Sequence, residues 1–296
     1  MSSWIPGQSR PMSISSMGGA LGAEASDADL ADVPFSREEI DSIEVALATY
    51  GTVVFRKQRV RDEIRLSFVQ AFGPAIGGRI QEIADEDSQF VDVGTVDRHG
   101  NLYNSNDARG MYMRANELWH TDGSHCQPPI RLTVLHAQVL PPEPPPTEFA
   151  NMRAAWESLP ASTQKEIEHL QVEHNILWSR QQIGMKPEDF SEQTRSVIRP
   201  VRHPLVRTHP LNGKKSLYLA SHASHIVGWP LDEGRRLLKS LMEFATRPEF
   251  VYIHHWQPHD LLIWDNRWTM HRATTYSGPY PRNLRWCGVR ELEPSC

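Results

Sequence analysis

The sequence predicts a mainly β fold with helices (α+β), built on a double-stranded β-helix, or jelly roll, with the helices packed outside. Two observations predict it. After Pro200 the chain consists mostly of short apolar segments at even spacing, separated by turn residues, which is typical of a double-sheet β architecture. Before Pro200, amphipathic segments with helical periodicity dominate. The 296 residues, 39% of them hydrophobic, can form a sizeable core.

Two helices and a strand are predicted near the start. Ser36 is an N-cap for a helix that ends at Gly51, and the apolar residues 52–55 form a short buried strand. A second amphipathic helix covers about 62–72. Residues 76–117 contain scattered Gly, Asp and Asn with little periodicity, so we expect loops that cover a site.

The rest of the chain is predicted to be mostly strands. A long strand covers 129–140 and ends at a proline-rich break, and a helical stretch begins an insert at about 151–200. After the insert we expect one helix at 231–246 and short strands. These strands lie at 205–208, 216–219, 251–256, 261–264 and 283–289.

We expect a flexible N-terminal tail over 1–22 and a single domain over 23–296. The tail is rich in Ser, Gly and Met and lacks the apolar stretch of a secretory signal. Apolar runs are too short to cross a bilayer, and a net charge of −5 without blocks of like charge argues against nucleic-acid binding. Three cysteines without CxxC spacing favour a reduced, cytoplasmic setting. We therefore expect a cytoplasmic protein with neither nucleic-acid nor membrane partners.

Two segments far apart in the chain, 118–122 and 261–271, offer metal ligands. His120 and Asp122 are two residues apart, so in extended chain both side chains point to the same side. His271 follows a hydrophobic strand, where a ligand can turn inward. Two imidazoles and one carboxylate make up the facial triad that holds non-haem Fe(II) and leaves coordination positions open.

Spacing alone leaves alternatives open. With 14 histidines, about one His-x-Asp triplet is expected by chance, so His120 could be an ordinary strand histidine and Asp122 a turn residue. His120 could also join His125 in a zinc site, although a zinc hydrolase usually has three protein ligands and a nearby general base. The second histidine ligand, for which we favour His271, has other downstream candidates. These are His222, His225, His254, His255 and His259.

Several segments carry a resemblance to a known family, and they occur in the family's order: 118–124, 147–156, 204–210, 215–225 and 264–273. Through them the chain resembles the taurine/2,4-dichlorophenoxyacetate (TauD/TfdA) group of Fe(II)/2-oxoglutarate-dependent dioxygenases. It is most similar to the 2,4-dichlorophenoxyacetate dioxygenases. The resemblance implies that His120, Asp122 and His271 are the iron ligands, and that 2-oxoglutarate and O2 are cosubstrates.

The resemblance also implies where 2-oxoglutarate binds. Family enzymes hold its distal carboxylate with an arginine eleven residues after the second histidine ligand, helped by a threonine, and these positions are Arg282 and Thr147. A guanidinium clamps a carboxylate with two charge-assisted hydrogen bonds, and a hydroxyl adds a third donor. The alternative for Arg282 is a solvated surface arginine.

Two departures from the family pattern concern the substrate and the cosubstrate site. Many members that act on anionic substrates have a second arginine four residues after the first, where this chain has Trp286. Arg285 would face the other way in a regular strand, unless a β-bulge re-aims it. Trp286 is then either an aromatic wall for the substrate or a core residue. The prolines within 142–146 also change the turn before Thr147.

We therefore expect a dioxygenase that hydroxylates a small organic substrate and releases succinate and CO2. The resemblance implies ether cleavage of an aryloxyacetate. One alternative is the same chemistry on a neutral aromatic compound, a natural-product intermediate, an amino acid or a sulfonate. Another is a non-catalytic metal-binding or sensing protein on the same scaffold. Relatives are often homo-oligomers, but the sequence itself indicates no interface.

Overall fold

The computed structural model describes residues 12–31, 35–77, 89–96, 101–102, 108–276 and 278–292. The strands are β1 (Ser13–Ser16), β2 (Ala23–Ser26), β3 (Thr52–Phe55), β4 (Ala75–Ile76), β5 (Val91–Gly94), β6 (Ile130–Val139), β7 (Thr147–Asn151), β8 (Gln171–His174), β9 (Val201–Pro204), β10 (Val206–Thr208), β11 (Lys215–Leu217), β12 (Ala223–Ile226), β13 (Val251–His254), β14 (Leu261–Asp265), β15 (Thr269–Ala273) and β16 (Asn283–Arg290). The helices are α1 (Arg37–Tyr50), α2 (Asp62–Ala71), α3 (Ala108–Arg114), α4 (Met152–Glu157), α5 (Ala161–Ile167), α6 (Ile176–Gln181), α7 (Glu192–Val197) and α8 (Leu231–Ala245). Single 3-10 turns lie at Ala115–Glu117, Pro187–Asp189 and Pro248–Phe250.

The largest sheet has eight strands. Its order is β1-β2-β3-β14-β6-β16-β4, and β5 also pairs with β16. Strands β2 and β3 are parallel, and the other pairs in this sheet are antiparallel. Smaller sheets have the orders β13-β7-β15, β12-β8-β9 and β10-β11. The described residues thus form a mixed α and β structure.

Alternation along β14 shows how the layers are stacked. Leu261 and Ile263 belong to an apolar cluster with residues of α1 and α2. Leu262 and Trp264 point to the opposite face and pack in a second cluster with Phe149 of β7. Helices therefore cover one face of the large sheet, and the three-stranded sheet β13-β7-β15 covers the other. The candidate site lies between these two sheets.

Helix α1 begins and ends where the sequence predicts. The Ser36 hydroxyl accepts a hydrogen bond from the Glu39 amide at 3.2 Å, and the Glu39 carboxylate accepts one from the Ser36 amide at 2.8 Å. This capping box satisfies two amides that a helix N-terminus leaves open. Gly51 ends the helix with a φ of +77°, a conformation that favours glycine.

Most of the predicted elements are confirmed, but several short strands were missed. Helices α1, α2 and α8 and strands β3, β6, β10, β11, β13, β14 and β16 lie within a few residues of the predictions. Strands β7 and β15, which position site residues, were not predicted because each is short and mixes polar with apolar residues. The insert at about 151–200 also contains β8, which pairs with β9 and β12.

Two sequence predictions need correction. Part of the expected tail over 1–22 is strand β1, whose polar residues pair with β2 at the edge of the large sheet, and residues 1–11 lie outside the described part of the chain. Residues 76–117 are not only loops, because they include β5 and α3. Within that region, residues 78–88, 97–100 and 103–107 are outside the described residues.

Among the described helices, none combines the length and the apolar character that crossing a membrane requires.

Candidate metal centre

The backbone holds His120 and His271 side by side. The His120 amide donates to the His271 carbonyl at 2.9 Å, and the His271 amide donates to the His120 carbonyl at 2.8 Å. His271 is the middle residue of β15, which pairs with β7 through Phe149. The two imidazole centroids are 4.2 Å apart, so residues far apart in sequence present their rings to one point.

Asp122 reaches the same point because the chain turns immediately after it. Gly123 has a φ of +63°, and a Cβ atom there would lie 2.4 Å from the Ile130 side chain, so this position requires glycine. The Asp122 carboxylate lies 3.6 Å from Nε2 of His120 and 3.8 Å from Nε2 of His271. One ligand atom from each residue lies within 4.8 Å of the others, and within the described ranges no other His, Cys, Asp or Glu group meets this criterion.

The protonation states suit a divalent metal. Burial lowers the pKa of His271 to about 3, and burial also lowers the pKa of His120, so both imidazoles are neutral at pH 7. Nδ1 of His120 lies 2.7 Å from the Leu118 carbonyl and so carries the hydrogen, which leaves the lone pair on Nε2. Burial alone would raise the pKa of Asp122, but the charge that the neighbouring imidazoles carry at acid pH and two hydrogen-bond donors lower it. Two neutral imidazoles and a carboxylate fit Fe(II).

A network of hydrogen-bonded side chains orients Asp122. Its Oδ2 atom accepts hydrogen bonds from the Thr133 hydroxyl at 2.8 Å and from the Trp286 indole N–H at 3.1 Å. The Asn266 amide group donates to the Thr133 hydroxyl at 2.9 Å, and its carbonyl oxygen accepts from the Asp122 backbone amide at 3.2 Å. These bonds fix the carboxylate, and no described residue donates to its Oδ1 atom.

Asp265, the residue before Asn266, holds this part of the chain in place. Its carboxylate accepts hydrogen bonds from Nε of Arg267 at 2.8 Å and from Nε2 of His209 at 3.0 Å. All three side chains are buried. Burial would raise the pKa of Asp265, but the Arg267 charge outweighs it and keeps that pKa well below the ordinary 3.8.

We expect the Asp265→Asn variant to be about 3–5 kcal/mol less stable at pH 7, because it leaves the buried Arg267 charge without its partner. Because the folded-state pKa is depressed, this contribution is complete above the ordinary pKa and decreases as the pH falls below it. Urea unfolding at pH 7 and pH 3 should therefore show a smaller difference at pH 3. Asp41→Asn, in the exposed Arg37–Asp41 pair, is the control and should change little at either pH. An equal deficit at both pH values would contradict the assignment.

Thr147 and Arg282 lie beside the three-ligand group. Thr147 is buried at the start of β7, and its hydroxyl accepts from the Trp256 indole N–H at 2.9 Å, which leaves its hydrogen to donate elsewhere. Arg282 is also buried, with 7% of its surface exposed, so it is not a solvated surface arginine. Its Nε atom has no hydrogen-bond partner in the described structure. Burial lowers the pKa of Arg282 to about 10, and the guanidinium stays charged at pH 7. A buried cation in this state favours an anionic ligand.

One cavity contains all of these groups. The three candidate ligands, Thr147 and Arg282 line it together. The remaining wall is mostly apolar and includes Ile76, Val91, Val93, Met113, Ile130, Leu135, Trp264, Leu284 and Trp286. A small apolar or aromatic molecule fits such a wall.

Arg285 is not part of the cavity. Alternate residues of β16 line it, and Arg285 points to the opposite face of the sheet. There its Nη1 atom lies 2.8 Å from both carboxylate oxygens of Asp92, and its Nη2 atom lies 2.7 Å from Asp62. Of the two irregularities in the pairing of β16 with β6, the one nearer to Arg285 leaves out Gln138 of β6, so β16 keeps its alternation there and Arg285 is not re-aimed.

Other candidate histidines lie near the three-ligand group without belonging to it, and His125 and His222 also line the cavity. His125 stacks edge-on against His222, with centroids 4.7 Å apart, and neither belongs to the three-ligand group. His254 is buried and stacks edge-on against Trp256 at 4.6 Å. The structure therefore does not support the pairing of His120 with His125 as a zinc site.

Sequence reasoning did not identify Thr133, Asn266 or Trp256 as parts of the site. Asn266 lies in a segment that carried the family resemblance, so it was open to recognition. Thr133 and Trp256 lie in predicted strands and become significant only through contacts distant in sequence.

Several known proteins are similar to this chain. Residues 13–287 match the family described as "Taurine catabolism dioxygenase TauD, TfdA family". The chain is 40% identical over 272 residues to an alpha-ketoglutarate-dependent 2,4-dichlorophenoxyacetate dioxygenase of Cupriavidus pinatubonensis, covering 90% of this chain and 92% of that protein. It is 30% identical over 241 residues to an (S)-phenoxypropionate/alpha-ketoglutarate-dioxygenase of Sphingobium herbicidovorans, covering 79% and 80%. The crystal structure of AAD-2 in complex with Mn(II) and N-oxalylglycine is similar with a TM-score of 0.87 and 37% identity, covering 96% of this chain and 100% of AAD-2.

Proposed function

The chain belongs to the taurine catabolism dioxygenase TauD, TfdA family, and on that premise we propose that it cleaves the ether bond of an aryloxyacetate by hydroxylation. It is an enzyme, an alpha-ketoglutarate (2-oxoglutarate)-dependent dioxygenase. The observation that carries the proposal is that one apolar cavity contains the three candidate metal ligands together with the buried cation of Arg282.

We assign His120, Asp122 and His271 as the ligands of Fe(II). Fe(II) with 2-oxoglutarate and O2 supplies the oxidation, in which 2-oxoglutarate becomes succinate and CO2 and the substrate gains a hydroxyl group. The protein's own part is to present two neutral imidazoles and one fixed carboxylate, and to surround them with a mostly apolar wall. The bonds of Asp122 to Thr133 and Trp286 support this assignment.

We assign Arg282 and Thr147 to the distal carboxylate of 2-oxoglutarate. A buried guanidinium with an unpartnered Nε atom can donate two charge-assisted bonds to a carboxylate. Thr147 can add a third donor, because its hydroxyl accepts from Trp256 and keeps its own hydrogen free to donate. The prolines within 142–146 do not remove Thr147 from the cavity, since it is the first residue of β7 and lines the cavity with Arg282.

The proposed substrate reaction follows from hydroxylation next to an ether oxygen. Replacement of a hydrogen on the methylene carbon of an aryloxyacetate by hydroxyl gives a hemiacetal. The hemiacetal breaks its carbon–oxygen bond to release a phenol and glyoxylate, and the hydroxyl proton passes to the phenolate. The aromatic side chains Trp264 and Trp286 in the cavity wall support an aryl substrate.

Two candidate substrate classes, anionic and neutral aromatic compounds, differ in charge. Arg180 at the end of α6 is buried and lines the cavity together with Arg282, which supports an anionic substrate. Trp286 at the position of the usual second arginine, with Arg285 directed to Asp92 and away from the cavity, supports a neutral aromatic substrate instead.

Succinate formation with Fe(II), 2-oxoglutarate and O2, after anaerobic reconstitution, tests the proposal. We expect phenoxyacetate to stimulate it and to release phenol and glyoxylate. Phenoxyacetamide has the same ring and ether without the charge, and taurine has an anion without the ring, so we expect little stimulation by either. Stimulation by the amide alone would favour the neutral candidate. Stimulation by taurine alone would contradict the aryl substrate.

We also infer that the large sheet and the sheet β13-β7-β15 are the two halves of a jelly roll. The family relation supports this, as does the packing of Phe149 against Trp264, with ring centroids 5.4 Å apart. Four further expectations stay predictions: a single domain beyond the N-terminal segment, a cytoplasmic location, the absence of nucleic-acid and membrane partners, and assembly into a homo-oligomer.

A further inference from the structure

Asp122 is held by two donors, and one of them is also part of the cavity wall. Its Oδ2 atom accepts from the Thr133 hydroxyl at 2.8 Å and from the Trp286 indole N–H at 3.1 Å. Thr133 is completely buried in β6, whereas Trp286 is half-buried and lines the cavity. A molecule in the cavity can therefore touch a group that orients the candidate metal ligand.

Both donors bind the same carboxylate oxygen of Asp122. Oδ1 of Asp122 lies 3.6 Å from Nε2 of His120, while Oδ2 lies 3.8 Å from Nε2 of His271 and accepts both hydrogen bonds. Turning the plane of the carboxylate away from this orientation would break both hydrogen bonds. The Trp286 bond thus restricts the carboxylate to one orientation between the imidazoles.

We propose that Trp286 is a positioning residue that connects the substrate cavity to the metal centre. Its N–H holds Asp122 for metal binding, and a substrate that packs against the indole face stabilises that hydrogen bond. Metal binding and cavity occupancy then strengthen each other through one side chain. The proposal rests on the proposed function for the metal and for the cavity as the substrate site.

A purely apolar wall makes a different prediction. If Trp286 only shapes the cavity, its replacement by another aromatic residue should affect substrate binding and leave metal affinity unchanged. Leu284 lies two residues earlier on the same face of β16 and lines the same cavity without a polar atom, so it provides a matched control. Thr133 provides the complementary variant, because it holds Asp122 from inside the sheet.

The first claim of the proposal is that Trp286 holds Asp122 for metal binding. It is tested by titrating metal-free protein with Mn(II) under nitrogen and measuring the concentration of free Mn(II). Trp286→Phe keeps an aromatic ring and removes the N–H, and we expect about tenfold weaker Mn(II) binding, the lower end of what loss of such a partner costs. Thr133→Val should weaken binding similarly, and Leu284→Val should not. Far-ultraviolet circular dichroism of each variant checks folding. Unchanged Mn(II) affinity in folded Trp286→Phe would overturn the proposal.

The second claim is that a molecule in the cavity strengthens metal binding through Trp286. It is tested by repeating the Mn(II) titration with phenoxyacetate and 2-oxoglutarate present and oxygen absent. We expect phenoxyacetate to tighten Mn(II) binding in the wild type and in Leu284→Val but not in Trp286→Phe. The same tightening in Trp286→Phe would show that the coupling bypasses the indole. If the wild type turns over phenoxyacetate but its Mn(II) affinity does not increase when phenoxyacetate is added, the proposed coupling between cavity and metal centre is refuted.

These outcomes are separate from those of the proposed function. A wild type that binds no Mn(II) would refute the metal centre itself. A wild type that binds Mn(II) but turns over no aryloxyacetate would refute the substrate, and the comparison of Mn(II) affinities would still decide whether Trp286 holds Asp122.

Discussion

Asp122→Ala is expected to abolish 2-oxoglutarate turnover and to weaken metal binding by more than about a hundredfold. Loss of a residue that merely orients a ligand costs about 10- to 100-fold, so loss of the ligand itself should cost more. The same change leaves the Thr133 hydroxyl and the Trp286 indole without their acceptor. His120→Ala should have a comparable effect, because it removes a neutral imidazole from the same point.

The matched control is His225→Ala. His225 is a half-buried histidine on β12 that lies near Glu173, at 3.8 Å, and is not part of the three-ligand group. Its replacement removes an imidazole of the same kind and should preserve both metal affinity and succinate formation. Full activity in Asp122→Ala or His120→Ala, or equal losses in all three variants, would remove the triad assignment.

Elements whose ends are set by neighbouring residues could be predicted from the sequence, whereas elements set by pairing with distant strands could not. Helix α1 was predicted to its ends because Ser36 and Gly51 act within one turn of the helix. Strand β15 was missed because its five residues include Thr, His and Arg, and its place in the structure is set by pairing with β7. The polar strand β1 was likewise assigned to a tail, since only its pairing with β2 distinguishes it.

The residues of the site could be predicted where the chemistry requires a particular side chain. Metal ligands must be side chains of particular types, so His120, Asp122 and His271 could be selected from the sequence, and the structure brings them together. The residues that orient them are less restricted. A threonine in the middle of β6 has no local signal for bonding to Asp122, and Trp286 was expected only as a wall or a core residue. Its N–H bond to Asp122 depends on a turn distant in sequence.

Arg282→Ala is expected to raise the 2-oxoglutarate concentration required for half-maximal turnover by about 10- to 100-fold. Hydrogen bonds to charged groups contribute about 1.5–3 kcal/mol, and about 1.4 kcal/mol corresponds to a factor of ten. Because Arg282 is not one of the three candidate ligands, Mn(II) affinity without 2-oxoglutarate should be unchanged. Steady-state succinate formation and anaerobic titration of the Mn(II) protein with 2-oxoglutarate measure these two effects.

Arg285→Ala is the control, because it removes a nearby arginine that does not line the cavity. Arg285 lies three residues further along and binds Asp92 and Asp62 on the opposite face. Because its loss leaves the buried Asp92 without this partner, we expect lower thermal stability and an unchanged 2-oxoglutarate requirement. If Arg282→Ala also kept the wild-type requirement, Arg282 would not be the clamp. If Arg285→Ala raised the requirement as strongly, the effect would reflect this whole segment of chain, because the different directions of the Arg282 and Arg285 side chains are what give them different roles.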